Sequence, residues 1–411
     1  MSSRAPSPEV ANPFPPSVEV LVVGGGPAGA TAAAFLAAAG KEVLVIDQRS
    51  AGAGKVCGEF VSSEALPVLR RLGVLGALRS AGALPIRAAQ VRSARGGCLM
   101  AELPSDGGEA GFSLSRSAFD FLLLEEARRR GARVIHGARL THLSRPEGGF
   151  RHARFRVGPS RGVLEARLVV GADGRNSRVA HLLGLQGRFS PPRMGIQVHL
   201  RRETRELRER VDLFLLRKAY AGVVPVEGDR WCVGALLHPR TAVGKDPWGN
   251  LLAECSGHSG GADALTGACA VLSRRAVFPV RFGLRECTAP GLLLAGDAAG
   301  VVDPFSGQGI ALALTTGAEA AAAGVAILES GGDAPAERRR YAALVRSQIG
   351  RRLRSSRPLR LLLDSPRWSS RLLASLERHP ETFRTLIGFT RARGSSSRLA
   401  VPRLIARLLL S

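Results

Sequence analysis

The stretch of residues 18–47 constrains the fold more than any other part of the chain. It begins with a short apolar, β-branched run, VEVLVV, which predicts a strand buried on both faces of a parallel sheet. A glycine-rich turn, GGGPAG, follows, and then an alanine-rich helix that ends at Gly40. A second apolar run over 42–46 predicts another buried strand, which ends in Asp47. Strand, turn, helix and strand in this order predict an α/β fold.

The turn has glycines where a phosphate-binding unit of this kind requires them. Gly24 permits the tight turn, Gly26 lets the backbone approach a pyrophosphate, and Gly29 lets the helix pack against the sheet. Asp47 follows Gly24 by 23 residues, close to the spacing of a carboxylate that binds ribose hydroxyls. The unit predicts dinucleotide binding, with FAD and NAD both open at this point. The residues predicted to bind are Gly24, Gly26, Pro27, Ala28, Gly29 and Asp47.

Two later segments also place a glycine-rich turn after a buried strand. One apolar run leads into GADG, with Asp173 in the turn, and another leads into Gly296 and Asp297. The sequence GQG at 307–309 then opens an alanine-rich helix predicted over 310–328. Because these segments are far apart in the chain, the nucleotide-binding domain is predicted to be discontinuous.

Between these segments, period-two patterning predicts a second sheet that faces the substrate. The predicted fold is therefore α/β, with α and β elements interleaved. It combines a Rossmann-type domain, an inserted antiparallel β-sheet domain and a helical C-terminus. The predicted boundaries are a disordered tail over 1–17, the nucleotide-binding domain over 18–85, 112–185 and 285–330, the substrate domain over 86–111 and 186–284, and an arginine-rich helical region over 331–411.

Charge and cysteine usage exclude several classes of protein. The net charge is +24, and residues 337–411 contain 18 arginines against four acidic residues. The six cysteines form no CxxC pair and the eight histidines have no ligand spacing, which argues against a metal site and against a disulfide framework. We therefore predict no metal and a cytoplasmic protein.

In this order, the three glycine-rich turns resemble those of the FAD-dependent oxidoreductases of the para-hydroxybenzoate hydroxylase superfamily. That superfamily includes aromatic-ring monooxygenases, squalene-epoxidase-like enzymes, flavin halogenases and geranylgeranyl reductases. The resemblance extends over residues 18–328 and favours FAD over NAD. It also implies that the turn containing Asp173 belongs to the FAD-binding domain.

The resemblance implies roles for several side chains. Asp297 would bind the ribityl chain, and the helix opened at 307–309 would point at the pyrimidine end of the flavin, where its N-terminus favours negative charge. Arg116 falls where such enzymes have an arginine that contacts FAD; a solvated arginine at a helix start is the alternative. The further cofactor-binding residues predicted are Lys55, Arg116, Asp173, Gly296, Asp297, Gly307, Gln308 and Gly309.

Three shorter segments bear on the branch of the superfamily. KVCGE at 55–59 resembles the K-x-C-G loop that runs beside the flavin in geranylgeranyl reductases, and DPFSGQGI resembles their D-P-x-T-G-E-G-I segment. Tyr220 begins a version of their Y-x-W-x-F-P-K pattern in which Gly222, Val224 and Val226 replace Trp, Phe and Lys. This departure argues against prenyl-chain reduction. The halogenase pattern W-x-W-x-I-P is absent.

The leading prediction is an FAD-dependent monooxygenase that hydroxylates or epoxidises an apolar, phenolic or lipid-like substrate through a flavin hydroperoxide. The alternative is a geranylgeranyl-reductase-like enzyme that reduces C=C bonds of a prenyl or polyene chain. Because there is no second GxGxxG, NAD(P)H is expected to bind transiently as the electron donor, or electrons to arrive from a separate carrier. No catalytic residue is assigned; the candidates that would line the flavin are Cys57, Glu59, Tyr220 and Pro304.

The arginine-rich C-terminus suggests two further partners. A nucleic-acid-binding protein is the minor alternative, but four aromatic residues after Glu337 offer little surface for base stacking. Peripheral contact with an anionic membrane is suggested by Arg403 and Arg407, which have the spacing of one face of an amphipathic helix with leucines nearby. A helix that covers the substrate domain is the competing interpretation.

Overall fold

The computed structural model describes most of the chain. The described residues are 15–93, 97–203, 209–216, 219–239, 246–258, 265, 268–332, 334–363 and 365–378. The predicted tail lies outside them except at its end, where Ser17 already begins the first strand. The predicted amphipathic segment with Arg403 and Arg407 also lies outside the described residues.

The α/β fold class is confirmed. The strands are β1 (Ser17–Val23), β2 (Val43–Asp47), β3 (Phe60–Val61), β4 (Leu84–Ile86), β5 (Ala88–Ser93), β6 (Cys98–Glu102), β7 (Gly111–Ser113), β8 (Arg133–His136), β9 (Ala138–Leu143), β10 (Arg151–Val157), β11 (Ser160–Gly171), β12 (Gly187–Phe189), β13 (Arg193–Arg202), β14 (Arg210–Leu216), β15 (Ala219–Val226), β16 (Arg230–Leu237), β17 (Ala268–Val280), β18 (Gly283–Arg285), β19 (Thr288–Ala289), β20 (Leu292–Leu294) and β21 (Gly300–Val301). The helices are α1 (Pro27–Ala38), α2 (Leu66–Leu72), α3 (Leu75–Ser80), α4 (Arg116–Arg129), α5 (Arg178–Leu182), α6 (Pro247–Ser256), α7 (Gly309–Glu329), α8 (Pro335–Leu363) and α9 (Pro366–Arg378).

The first large sheet is built around β1. Its order is β19-β20-β11-β1-β2-β8, with β10 and β9 continuing from β11, and the pairs from β20 to β8 are parallel. Val20 of β1 lies between Val43 of β2 and Leu168 of β11, and all three are buried. A central parallel strand with helices on both faces must be apolar where it is buried, which explains the apolar run over 20–23.

The second large sheet has the order β17-β13-β16-β15-β14-β5-β6. Its strands come from 88–102 and 193–280, the two parts of the chain assigned to the substrate domain. The predicted antiparallel sheet is found with one exception, because β14 pairs with β5 in parallel. No hairpin joins these two strands, which are far apart in sequence, so their direction is not fixed by a turn.

Helix α7 lies against α1 at very close range. A Cβ on Gly317 would come within 2.3 Å of the Ala28 carbonyl oxygen, so only glycine allows this approach. α7 is the one described helix long and apolar enough to cross a membrane, but 61% of its most apolar window is buried inside the protein. These contacts make α7 a helix of the hydrophobic core.

The described C-terminal helices cover both domains. Tyr341, Val345 and Ile349 of α8 belong to the core of the first domain. Leu372 and Leu376 of α9 pack in the apolar cluster formed by β5 and β6. This part of the arginine-rich region therefore stabilises the fold. The competing interpretation of the segment with Arg403 and Arg407 concerns residues outside those described.

Candidate active site

A large cavity lies where the first sheet meets the inner face of the second. It brings together twelve of the residues singled out from the sequence, which are Gly26, Pro27, Ala28, Lys55, Cys57, Glu59, Arg116, Tyr220, Asp297, Pro304, Gly307 and Gly309. The residues singled out from the sequence that do not line it are Gly24, Gly29, Asp47, Asp173, Gly296 and Gln308. One cavity thus joins motifs from five distant parts of the chain.

The glycine-rich turn forms one end of the cavity. Gly24 has a φ of +107°, and a Cβ on Gly29 would come within 1.8 Å of the Gly24 carbonyl oxygen. Both glycines shape the turn rather than line the cavity. A Cβ on Gly26 would meet nothing closer than Arg116 Nη2 at 3.9 Å, and no side chain caps α1 there. The free N–H groups of this helix terminus therefore face open space that suits a phosphate group.

Three cations surround Asp297 beside this turn. Lys55 Nζ lies 3.5 Å from Asp297 Oδ2. Burial opposes ionisation of Asp297, but the charges of Lys55, Arg175 and Arg116 lower its pKa. Burial also lowers the pKa of Lys55, and the neighbouring Arg116 and Arg175 lower it further. Asp120 pairs with Arg116, so three cations and two carboxylates leave one excess positive charge, which fits an anionic ligand such as a pyrophosphate.

Arg116 is held in place by its own helix. Its Nη2 and Nε atoms donate to the Asp120 carboxylate at 2.7 and 2.8 Å, one turn along α4. Both residues are buried, and Ser115 caps the helix start by accepting from the Ala118 N–H. The alternative interpretation of Arg116 as a solvated arginine is therefore wrong.

Asp47 lies at the end of β2 in a second, smaller cavity beside Gly25. Its carboxylate accepts from the Gly25 and Arg49 N–H groups, each at 2.8 Å, and pairs with Arg49 Nη2 at 3.1 Å. Burial opposes ionisation, but these hydrogen bonds lower the pKa of Asp47. The carboxylate is thus ionised and ties β2 to the glycine-rich turn.

Asp173 and Gln308 are turned away from the cavity. Asp173 Oδ2 accepts from the Arg178 and Val179 N–H groups at the start of α5, and burial raises its pKa. Gln308 Oε1 accepts from Arg352 Nε at 2.9 Å on α8. The neighbours of these two residues, Gly174 and Gly307 among them, line the cavity in their place. A motif predicts the position of a turn but not the direction of each side chain.

Helix α7 begins at the wall of the cavity, which Gly309 and Ile310 line. Gly307 precedes it with a φ of +67°, and no side-chain hydrogen bond caps the helix start. Asp303 accepts from the Tyr220 hydroxyl at 2.6 Å and from the Phe305 N–H at 3.1 Å, which fixes the turn containing Pro304. A second helix N-terminus therefore faces the cavity and suits the anionic end of a reduced flavin. With the phosphate-type turn and the cations, these residues fit FAD.

The loop at 55–59 passes between the two domains. Gln197 Nε2 of β13 donates to the Cys57 carbonyl oxygen at 2.8 Å. Glu59 Oε1 accepts from the Arg116 N–H at 3.0 Å, and Glu59 Oε2 is 2.8 Å from His199 Nε2. The sequence did not single out Gln197 or His199. Two polar residues two positions apart on a buried strand were the signal, because alternate positions share one face.

The wall opposite the turn is apolar. It comes from the inner face of the second sheet, where Gly222 and Val224 of β15 line the cavity beside Val211 and Leu213 of β14. A face of this composition favours contact with a hydrocarbon or aromatic ligand. The substrate sheet predicted from period-two patterning thus supplies the apolar half of the site.

Comparisons with known proteins agree with this geometry. A family model described as an FAD binding domain matches residues 17–336. A digeranylgeranylglycerophospholipid reductase from Methanothermobacter thermautotrophicus is 31% identical over 353 residues, which cover 81% of this chain and 83% of that protein. A 1H-pyrrole-2-carbonyl peptidyl-carrier-protein chlorinase from Pseudomonas fluorescens is 24% identical, over 72% of this chain and 73% of its own.

Among solved structures, a geranylgeranyl bacteriochlorophyll reductase-like protein from Thermoplasma acidophilum superposes with a TM-score of 0.70. The superposition covers 96% of this chain and 97% of that chain at 22% identity. At this identity the likeness shows the fold alone.

Proposed function

The chain belongs to the family defined by the FAD binding domain and is an FAD-dependent oxidoreductase, and we propose that it reduces a carbon–carbon double bond in an isoprenoid or similarly apolar chain. The observation that carries the proposal is the position of the 55–59 loop. This loop resembles the K-x-C-G loop of geranylgeranyl reductases, and it lines the cavity between the phosphate-type turn and the apolar sheet face. Double-bond reduction was the alternative prediction in the sequence analysis, and this proposal prefers it to monooxygenation.

The cavity walls suit such a reduction. Bound FAD, once reduced, supplies a hydride for one carbon of the double bond. The apolar face of β14 and β15 positions the hydrocarbon chain and excludes water. The second carbon needs a proton, and the loop offers Cys57 and Glu59 at the wall. Burial raises the pKa of Tyr220 well above its ordinary value, so its hydroxyl keeps its proton and fixes Asp303.

Monooxygenation is the second candidate because of Gly222 and Val224. Both line the cavity at positions where the reductase pattern has Trp and Phe, which leaves more room beside the flavin end. That room favours a bulkier aromatic substrate. The relatives include a protein named as a chlorinase, whose 24% identity supports this broader family but not a particular reaction.

Product mass separates the two reactions. The FAD-loaded protein is incubated with a geranylgeranyl-chain phospholipid, once without oxygen under dithionite and once in air with NADPH. A gain of two hydrogens for each reduced bond supports the proposal. A gain of one oxygen in air, with no change under dithionite, overturns it and supports monooxygenation. NADPH and NADH are compared because NAD(P)H is the proposed transient electron donor.

We propose a cytoplasmic enzyme that contacts membranes at their surface, because a prenyl-lipid substrate resides there. Exposed arginines on α8, including Arg351, Arg354 and Arg357, would favour anionic lipids. Flotation with phosphatidylglycerol vesicles at low and high salt tests this contact, with phosphatidylcholine vesicles as the control. Protein that stays at the bottom in every case contradicts it. The charge of the C-terminus gives nucleic-acid binding no further support.

A further inference from the structure

Glu59, one of the two proton-donor candidates named above, is paired in the cavity wall with a buried imidazole that the proposed function leaves without a role. Glu59 lines the cavity, is 1% exposed and has its Oε2 atom 2.8 Å from His199 Nε2. Its backbone has a φ of +55°, a conformation that side-chain-bearing residues rarely adopt. Such strain persists where the surrounding structure holds a residue at a particular point.

The imidazole connects this wall to the edge of the second sheet. His199 Nδ1 is 3.0 Å from Ser273 Oγ, and the two residues are paired across β13 and β17. β17 is the edge strand of the sheet, and Ser273 is half-buried while the adjacent Leu272 is 42% exposed. A continuous hydrogen-bonded path therefore runs from the cavity wall to a strand that borders solvent.

We propose that Glu59, His199 and Ser273 form a proton relay between solvent at the edge strand and the wall of the flavin cavity. The inference rests on this cavity being the flavin site, and it applies to either candidate reaction because both consume a proton.

The transfer is balanced at each atom. In the starting form, the Nε2–H of His199 donates to the Glu59 carboxylate, and Nδ1 accepts the Ser273 O–H. The Nε2 proton moves to Glu59 Oε2 as the Ser273 proton moves to Nδ1, and water reprotonates Ser273. One proton has then passed from solvent to the wall. The ring then carries its proton on Nδ1, and between turnovers the starting form is restored when Nδ1 loses that proton to water through Ser273 and Nε2 gains one from water.

The groups around the pair keep it in the form that the relay needs. Burial opposes ionisation of Glu59, but the hydrogen bond from His199 lowers its pKa, so the resting form is a carboxylate whose Oε2 atom is unprotonated toward His199. Cys232 lies beside it, and burial raises the pKa of that thiol well above its ordinary value, so it stays neutral. The backbone N–H of Arg116 completes the surroundings of Glu59.

A metal site is the competing interpretation of the same residues. Ligand atoms of Glu59, His199 and Cys232 all lie within 4.8 Å of one another. Two ligands of a tetrahedral zinc ion are about 3.3 Å apart, given zinc–ligand distances of about 2.0 Å. The 2.8 Å separation of Nε2 and Oε2 is that of a hydrogen bond.

The test follows protons rather than product. FAD-loaded protein is reduced photochemically in weakly buffered solution containing a pH indicator, where each FAD gains two electrons and takes up a proton. In the wild type we expect proton uptake to keep pace with flavin bleaching. In His199→Asn and in Ser273→Ala we expect uptake to lag by about tenfold while electrons arrive at the wild-type rate. Ser273→Ala removes only one half-buried hydroxyl, so it tests the relay even where His199→Asn does not fold.

The matched control is His258→Asn. His258 is equally buried, bonds to the carbonyl oxygens of Glu254 and Leu215, and does not line the cavity. Proton uptake by the His258→Asn variant should keep pace with flavin bleaching, as in the wild type. Nitrogen-15 NMR of histidine-labelled protein should show the Nε2–H form at His199 before FAD is loaded.

Two results would overturn the relay. One is proton uptake that keeps pace with bleaching in both relay variants. The other is stoichiometric zinc in the purified protein that is lost in His199→Asn. Because no prenyl substrate is used, failure of the proposed double-bond reduction leaves this test unaffected.

Discussion

Arg116 and Asp120 form a buried, two-pronged ion pair one helical turn apart, with nitrogen–oxygen distances of 2.7 and 2.8 Å. Asp120 does not line the cavity, whereas Arg116 does. The carboxylate therefore orients a cation that faces the phosphate-type turn. Desolvation disfavours the charged guanidinium, but the charge of Asp120 raises the pKa of Arg116 above its ordinary value.

Asp120→Ala should weaken both the fold and FAD binding. Removing one partner leaves a buried, unpaired charge, which costs about 3 kcal/mol of unfolding free energy. Urea unfolding of the FAD-free protein and fluorescence titration with FAD measure the two effects. The control is Asp106→Ala, which breaks an ion pair with the exposed Arg70 and should cost much less, because solvent screens such a pair. Equal losses in the two variants would contradict the role of Asp120.

Two glycines of the turn should fail in different ways when replaced by alanine. A Cβ on Gly29 would collide with the Gly24 carbonyl oxygen at 1.8 Å, so Gly29→Ala should destabilise the FAD-free protein. A Cβ on Gly26 meets only Arg116 Nη2 at 3.9 Å, so Gly26→Ala should keep the FAD-free melting temperature. The methyl group then occupies space assigned to the pyrophosphate, and FAD affinity should fall at least tenfold. A stable Gly29→Ala protein with normal FAD affinity would contradict this division.

The pH dependence of stability should reveal Asp47. Its folded-state pKa lies below the ordinary value of 3.8, so its contribution is present above about pH 4 and is lost as the pH falls through the lowered pKa. Relative to Asp47→Asn, the wild type should be more stable by about 2 kcal/mol at pH 6, since hydrogen bonds to a charged group are removed. Unfolding free energies measured between pH 6 and pH 3 should show this difference shrink at the acid end. A difference that grows toward acid would contradict the sign.

The sequence predicted the first sheet well because parallel strands buried on both faces are uniformly apolar. Residues 18–23, 42–46 and 168–170 each fell on a strand of that sheet. The motifs likewise placed Gly26, Lys55 and the 307–309 turn around one cavity. Local geometry fixes the spacing of residues within a βαβ unit, so the positions of these residues can be predicted from the sequence.

The directions of side chains and the pairing of strands far apart in the chain were harder to predict from the sequence. Asp173 caps α5 and Gln308 bonds to α8, because each carboxamide or carboxylate turns to whichever buried donor lies nearest. The parallel pairing of β14 with β5 joins strands separated by more than a hundred residues. An alternating pattern of polar and apolar residues shows that a strand has two different faces, but it does not show which face lies toward the site. His199 was missed for that reason.

Gly222 should control the size of the substrate. Its position lines the apolar wall, and a Cβ there would make ordinary contacts with Leu213 and Val211 at 3.4 and 3.8 Å. Gly222→Trp should therefore fold and bind FAD normally, while the indole group fills the cavity and excludes bulky ligands. We expect affinity for a bulky aromatic ligand to fall about tenfold, or about 1.4 kcal/mol, and affinity for a geranylgeranyl chain to be kept, because the reductase pattern itself has Trp at this position. Gly222→Ala, which adds one methyl group, is the matched control. Binding is followed by the flavin absorbance change on titration. An equal loss of affinity for the aromatic and the prenyl ligand would show that the substitution had damaged the wall rather than reduced the cavity volume.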